Sequence, residues 1–169
     1  MFSGALVALV LALQVKAAAQ SLPSDQETPP EEELKRYLIV SGWTQHFRIP
    51  SDDRVNSFLA GLGYRQEFSR DEDRIWSVYA GFYNDSRSII STNVGVECQL
   101  RTDFVDFGLA GGLMYNPRFK EAAGTPVLPY ALPYLHKQID GVGLRLFYSP
   151  PVPGHEYTEQ VIFQMHLEI

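Results

Sequence analysis

Apolar residues recur at every second position over most of the chain, a spacing typical of β-strands with one face in an apolar environment. In the first run, one face takes Ile39, Ser41, Trp43, Gln45 and Phe47 and the other takes Leu38, Val40, Gly42, Thr44 and His46. Seven further runs follow, at residues 58–64, 76–82, 93–100, 104–115, 127–136, 142–148 and 160–169. The pattern therefore predicts eight strands.

The connections between these strands alternate between two lengths. Residues 69–73, 101–103 and 137–140 are short and polar, whereas residues 50–55, 84–92, 116–126 and 149–159 form longer segments. Short turns at one end and long loops at the other are typical of an up-and-down membrane barrel. The predicted fold is thus all-β, an eight-stranded antiparallel transmembrane β-barrel. A soluble lipocalin-type barrel is the alternative, because the alternation of apolar residues does not show whether the outer face of the barrel contacts lipid or water.

Aromatic residues gather near both strand ends, as they do at the two interfaces of a membrane barrel. Near the long loops they are Trp43, Phe47, Tyr83, Tyr115, Phe147 and Tyr148. Near the short turns they are Tyr37, Phe68, Trp76, Phe104 and Tyr134. The sequence therefore predicts two aromatic girdles on the outer surface.

The segment ahead of the barrel divides into two parts. Residues 1–19 combine an apolar stretch with Ala17, Ala18 and Ala19, which predicts a secretory signal peptide. Residues 20–30 are rich in Ser, Pro, Asp and Glu and are interpreted as a periplasmic linker. The barrel domain is assigned to residues 31–169. It is expected to open with a short amphipathic helix at 31–36, where acidic residues precede basic ones.

Composition narrows the possible partners. The formal net charge is −6 and Lys and Arg do not cluster, which argues against nucleic acid. Cys98 is the single cysteine, so an intramolecular disulfide is excluded. No two His or acidic residues show a metal-ligand spacing, so no metal is expected.

Two local motifs carry a resemblance to a known family. Residues 78–86 read Val-Tyr-Ala-Gly-Phe-Tyr-Asn-Asp-Ser, a strand that ends in an Asp-Ser pair. Residues 128–133 read Leu-Pro-Tyr-Ala-Leu-Pro, with two prolines inside one strand, where proline removes a ladder hydrogen bond. Together the motifs resemble the lipid A palmitoyltransferase family (PagP), with the similarity extending over residues 31–169.

The resemblance implies a reaction and its partners. A palmitoyl chain would pass from the sn-1 position of a glycerophospholipid to a hydroxyacyl chain of lipid A, in the outer membrane of a Gram-negative bacterium. A monomer without cofactor is implied. Two other functions stay open: a non-catalytic outer-membrane barrel, either structural or adhesin-like, and a deacylase or phospholipase that uses water as acceptor.

The same resemblance assigns site residues. His46 is the expected general base, Asp85 the residue that orients or charges it, and Ser86 a nucleophile or an oxyanion donor. His155 is a reserve candidate. Pro129 and Pro133 are expected to open a lateral gap for a lipid chain. A second gap is less strongly implied, because Val40, Ser41 and Gly42 occupy the stretch where the family has a proline.

The floor of the acyl shaft is expected to set the chain length. The resemblance implies a glycine at this floor; a count from the Asp-Ser pair lands on Glu97, and we expect Gly95, one inward position earlier, to take the role, so Gly95→Met should favour shorter chains. Glu97 is two positions after Gly95 and is therefore on the same face of the strand. A buried carboxylate needs a partner. We expect Glu97 to pair with Arg65 or Arg145 in a polar plug below the floor.

Overall fold

The computed structural model describes residues 33–47, 56–150 and 159–169. Within these, the strands are β1 Arg36–His46, β2 Phe58–Arg70, β3 Arg74–Asn84, β4 Ile90–Leu100, β5 Asp106–Tyr115, β6 Val127–Ile139, β7 Val142–Ser149 and β8 Gln160–Glu168. A short helix, α1, spans Phe119–Ala123 in the connection between β5 and β6. The signal peptide and linker predictions, residues 1–30, lie outside the described residues, as does His155.

Each strand pairs antiparallel with the next, and β1 pairs with β8 to close the barrel. The prediction of eight antiparallel strands is therefore confirmed. The β2–β3, β4–β5 and β6–β7 turns define the turn end of the barrel. The opposite end is called the loop end. No helix in the described residues is long and apolar enough to cross a membrane.

The two faces of the wall have opposite chemistry. Large apolar side chains stand exposed on the outside, among them Phe82 at 53% and Leu113 at 52% exposure. Charged side chains fill the turn-end part of the inside, where Arg65 and Glu67 are almost completely buried. A soluble lipocalin-type barrel would show the reverse arrangement. An apolar exterior around a polar interior is the arrangement of a membrane barrel, because lipid replaces water as the outer solvent.

The predicted girdles are confirmed for some aromatic residues and wrong for others. Trp43 and Phe47 are exposed near the loop end, and Phe68 and Trp76 are exposed near the turn end. Four residues assigned to the girdles have inward positions in their strands instead: Tyr37, Tyr83, Tyr134 and Phe147. The position of an aromatic residue near a strand end does not show whether its side chain points into the lumen or outward.

A β-bulge in β1 corrects the alternation predicted for that strand. The register with both neighbouring strands shifts between Ser41 and Trp43. The extra residue makes the side chains exchange faces. Trp43 is therefore exposed, whereas Thr44 and His46 lie inside with Ser41. Without the bulge, His46 would point towards lipid.

The amphipathic helix expected at 31–36 is absent from the described part of that segment. Residues 33–35 have no regular secondary structure, and Arg36 already belongs to β1. The Glu67 carboxylate accepts the Lys35 backbone N–H at 3.1 Å, and the Lys35 carbonyl accepts the Glu67 backbone N–H at 3.0 Å. This pairing with β2 holds the chain extended, because the backbone groups bond across strands rather than within a helical turn.

Candidate functional site

His46 is the last residue of β1 and lies at the loop end, where its side chain is 8% exposed. It pairs with Gln160 of β8. Two residues earlier, the Thr44 hydroxyl donates to the Val161 carbonyl at 3.1 Å. The inward position of His46 thus depends on the bulge and on the β1–β8 ladder.

Asp85 follows β3 directly and organises the turn to β4. One carboxylate oxygen accepts the backbone N–H groups of Arg87 and Ile89, each at 2.9 Å. The other oxygen accepts the Asn116 side-chain amide at 2.7 Å. Ser88 within this turn has a φ of 61°, which L-residues adopt only at a cost. The Asp85 carboxylate therefore stabilises a tight and otherwise unfavourable turn.

Ser86 lies in the same turn, and its backbone connects to β1 through the start of β2. The Ser86 carbonyl accepts the Asn56 N–H at 2.6 Å, and the Ser57 carbonyl accepts the Thr44 N–H at 2.7 Å. His46, Asp85 and Ser86 therefore lie at one end of the barrel, as the topology predicts. The catalytic roles given to them stay predictions.

The seam between β6 and β7 is only partly paired. Their ladder runs from Ile139–Val142 to Tyr134–Phe147. Towards the loop end, residues 127–133 of β6 continue along β5 but have no ladder partner on the described part of β7. Among the described residues, the β6–β7 ladder therefore ends before β6 does.

Pro129 and Pro133 explain why the β6–β7 ladder ends where it does. They pair with Leu113 and Leu109 of β5. An antiparallel pair exchanges either two hydrogen bonds or none, and proline has no N–H to exchange. Both must therefore be non-hydrogen-bonded pairs, so the proline nitrogens face β7 and offer it no donor. This geometry supports the predicted lateral gap at these prolines.

The stretch of β1 that lacks the family's proline is closed on both sides. Val40 pairs with Leu62 of β2 and with Met165 of β8. We find no second opening along the described part of β1. Ser41 also pairs on both sides, and both ladders resume at Trp43 after the bulge.

A cavity of about 60 Å³ lies in the middle of the lumen. Its apolar wall includes Ile39, Leu132, Phe147 and Ile162, and Arg145 and His166 lie at its turn-end side. This volume holds roughly four water-sized molecules, so a long acyl chain needs the surrounding side chains to move. Leu132 and Phe147 also place the cavity beside the open β6–β7 seam.

Gly95 faces the lumen as predicted, but a tyrosine covers it. A Cβ built on Gly95 would lie 2.5 Å from the Tyr79 hydroxyl and 2.2 Å from the Gly111 carbonyl oxygen. The Tyr79 hydroxyl lies 2.5 Å from that of Tyr130 across the lumen. A chain that descends the shaft would therefore meet these tyrosines before Gly95. The chain-length effect of Gly95→Met stays a prediction.

The polar plug fills the lumen at the turn end and confirms the pairing expected for Glu97. Its carboxylate accepts the Arg145 guanidinium at 2.5 and 2.8 Å and also bonds Arg65. Arg65 reaches Glu67 at 3.4 Å, and Glu67 accepts Arg70 at 2.6 Å. These residues belong to β2, β4 and β7, so the plug crosses the barrel.

The site also contains residues that sequence reasoning missed. Asn116 lies in the connection after β5, yet it is only 4% exposed and bonds Asp85. One asparagine after a strand is an ordinary turn residue, so no local signal distinguished it. Within the described ranges, no group of three His, Cys, Asp or Glu side chains could hold a metal ion.

Comparison with protein families and with curated proteins gives no match for this chain. Among solved structures, a chain described as "De novo design of transmembrane beta-barrels" is similar. It aligns over 85% of this chain and 100% of its own length, at 14% identity and a TM-score of 0.48.

Proposed function

We propose that this barrel transfers a palmitoyl chain from the sn-1 position of a glycerophospholipid to a hydroxyl of lipid A in the outer membrane of a Gram-negative bacterium. The observation that carries the proposal is the open β6–β7 seam beside the apolar part of the lumen. The seam lies towards the same end as His46 and Ser86. A lipid chain could thus reach the lumen from the bilayer while its ester lies near a base.

His46 acts first, by taking the proton of the attacking lipid A hydroxyl. The hydroxyl oxygen forms a bond to the ester carbonyl carbon, and Ser86 donates a hydrogen bond to the oxyanion that develops. The intermediate then collapses as the bond to the sn-1 oxygen breaks. That oxygen takes the proton back from His46, which leaves acylated lipid A and a lysophospholipid.

Asp85 supports this chemistry by holding the turn. Its carboxylate caps two backbone N–H groups of the segment that carries Ser86. The removal of such a cap loosens the turn, and small displacements of catalytic groups lower rates strongly. Ala substitutions at His46, Asp85 or Ser86 should each sharply reduce transfer, while the barrel still folds.

Mass spectrometry of lipid A tests the proposal directly. Cells that express the wild-type chain should gain one palmitoyl group on lipid A relative to cells without it, and the His46→Ala variant should lose this gain. A loss of an acyl chain would instead show a deacylase, and released fatty acid with unchanged lipid A would show a phospholipase. No change in either lipid would favour a non-catalytic barrel.

A further inference from the structure

Asn116 is a buried polar residue directly after β5, at the loop end of the barrel. Its side-chain amide donates to the Asp85 carboxylate at 2.7 Å and to the Ser91 hydroxyl at 2.9 Å. Its side-chain oxygen accepts the Arg118 backbone N–H at 2.9 Å. Every polar atom of this side chain therefore has a partner. A buried amide with such complete bonding holds its neighbours in one arrangement.

The bonds of Asn116 join two loops. Asp85 and Ser91 flank the turn between β3 and β4, whereas Asn116 and Arg118 begin the connection between β5 and β6. The backbone N–H of Asn116 also donates to the Pro126 carbonyl at 2.9 Å, which closes that connection on itself. The two loops thus share one anchor.

Hydrogen bonds between short backbone segments connect this anchor to the candidate catalytic residues. Asp85 fixes the turn that contains Ser86, and the Ser86 carbonyl accepts the N–H of Asn56. The next residue, Ser57, bonds the backbone of Thr44, two positions before His46. A change at Asn116 can therefore reach both Ser86 and the end of β1.

We propose that Asn116 is a positioning residue for acyl transfer, which fixes the Asp85 carboxylate and, through it, the turn that presents Ser86. This inference rests on the proposed function. In this arrangement, the Asp85 carboxylate stabilises the backbone N–H groups of its own turn and does not act on the His46 imidazole. Asn116 and Asp85 then form one unit, in which the pattern of hydrogen bonds matters more than the position of the charge.

The Asn116→Ala variant tests the first part. The kcat for transfer in detergent micelles should fall by roughly a hundredfold, with little change in KM for the phospholipid, because displaced groups lower the chemical step. Asn84→Ala is the matched control, since this exposed asparagine lies in the same region and is expected to leave transfer unchanged. Wild-type kcat in Asn116→Ala would overturn the inference.

An exchange of the two residues tests the second part. In Asp85→Asn with Asn116→Asp, the new amide at 85 can donate to the new carboxylate at 116, and its oxygen can still accept the N–H groups of Arg87 and Ile89. We expect the double variant to recover about tenfold or more over either single variant, as coupled neighbours do. If the double variant is no better than the single ones, the charge at Asp85 acts directly and the inference fails.

Amide hydrogen exchange supplies a readout that does not depend on activity. Protection of the Arg87 and Ile89 amides should drop in Asn116→Ala and return in the double variant. Unchanged protection would overturn the anchor. A wild-type protein without transfer in the same assay would instead overturn the proposed function, while the exchange data would still test whether Asn116 holds the turn.

Discussion

The two parts of the lumen differ in how they are filled. At the turn end, Arg65 and Arg145 both donate to the Glu97 carboxylate across the barrel, and all three side chains are almost fully buried. Above them, Ile39 and Leu132 line a cavity beside an incompletely paired wall. One part is tightly bonded and closed by ladders on every side, whereas the other has free volume beside the stretch of β6 that has no ladder partner on the described part of β7.

In this account, the plug stabilises the barrel, and the apolar part is the proposed binding site of the acyl chain. An eight-stranded barrel has an interior just wide enough for side chains or one slender ligand. The plug occupies that space with ion pairs that hold opposite strands together. The apolar part lacks such ion pairs, so its side chains can move more easily, as the proposed entry of an acyl chain requires. We expect substitutions in the plug to change stability and substitutions at the seam to change transfer.

The largest effect is expected from Glu97→Ala. The variant leaves Arg145 buried without its carboxylate partner and Arg65 with Glu67 alone, and breaking a buried ion pair costs about 3–5 kcal/mol. Urea unfolding in detergent should show this loss. The matched control is Glu168→Ala, because its ion pair with Lys35 is about one third exposed and such pairs contribute about 0–1 kcal/mol. Equal losses in both variants would contradict the role of the plug.

A smaller effect is expected from Gly95→Ala, at the border between the two parts. The added Cβ would lie 2.2 Å from the Gly111 carbonyl oxygen, and such overpacking costs about 1–3 kcal/mol. Gly111→Ala is the control, because the nearest atom to its Cβ would be 3.6 Å away. If unfolding free energies show the two variants equally stable, β4 and β5 do not approach as closely as described.

A third variant acts on the seam. Pro129→Ala with Pro133→Ala restores two N–H donors towards β7, so the ladder can extend and the gap can close. Acyl transfer should fall about tenfold, equivalent to 1.4 kcal/mol, while stability stays the same or rises slightly. Leu135→Ala with Ile139→Ala is the control, because both residues are outward and exposed on the paired part of β6, and it should leave transfer unchanged. Full transfer in the double variant would show that lipid does not use this seam.

The sequence was sufficient for much of the fold, because strand periodicity and loop lengths are local properties. It also predicted the partners of Glu97, since a buried carboxylate requires an inward-facing cation. The bulge after Ser41 could not be predicted, because it depends on registers with both β2 and β8. The anchor at Asn116 joins segments that follow β3 and β5, which are not adjacent strands, so one sequence carries no signal for it. The tyrosine over Gly95 follows from the β3–β4 register, which sets Tyr79 opposite Gly95 and which the strand pattern alone does not determine.

The most direct test of the central claim is photocrosslinking with a phospholipid whose sn-1 chain ends in a diazirine. The protein is inserted in bilayers that contain this lipid, irradiated, digested and mapped by mass spectrometry at residue resolution. Outward residues such as Leu113 should be labelled in any case. We predict additional labels on the inward residues Leu132, Phe147 and Ile162, which Pro129→Ala with Pro133→Ala should reduce. Labels confined to outward residues would contradict the account, because the acyl chain would then never enter the lumen.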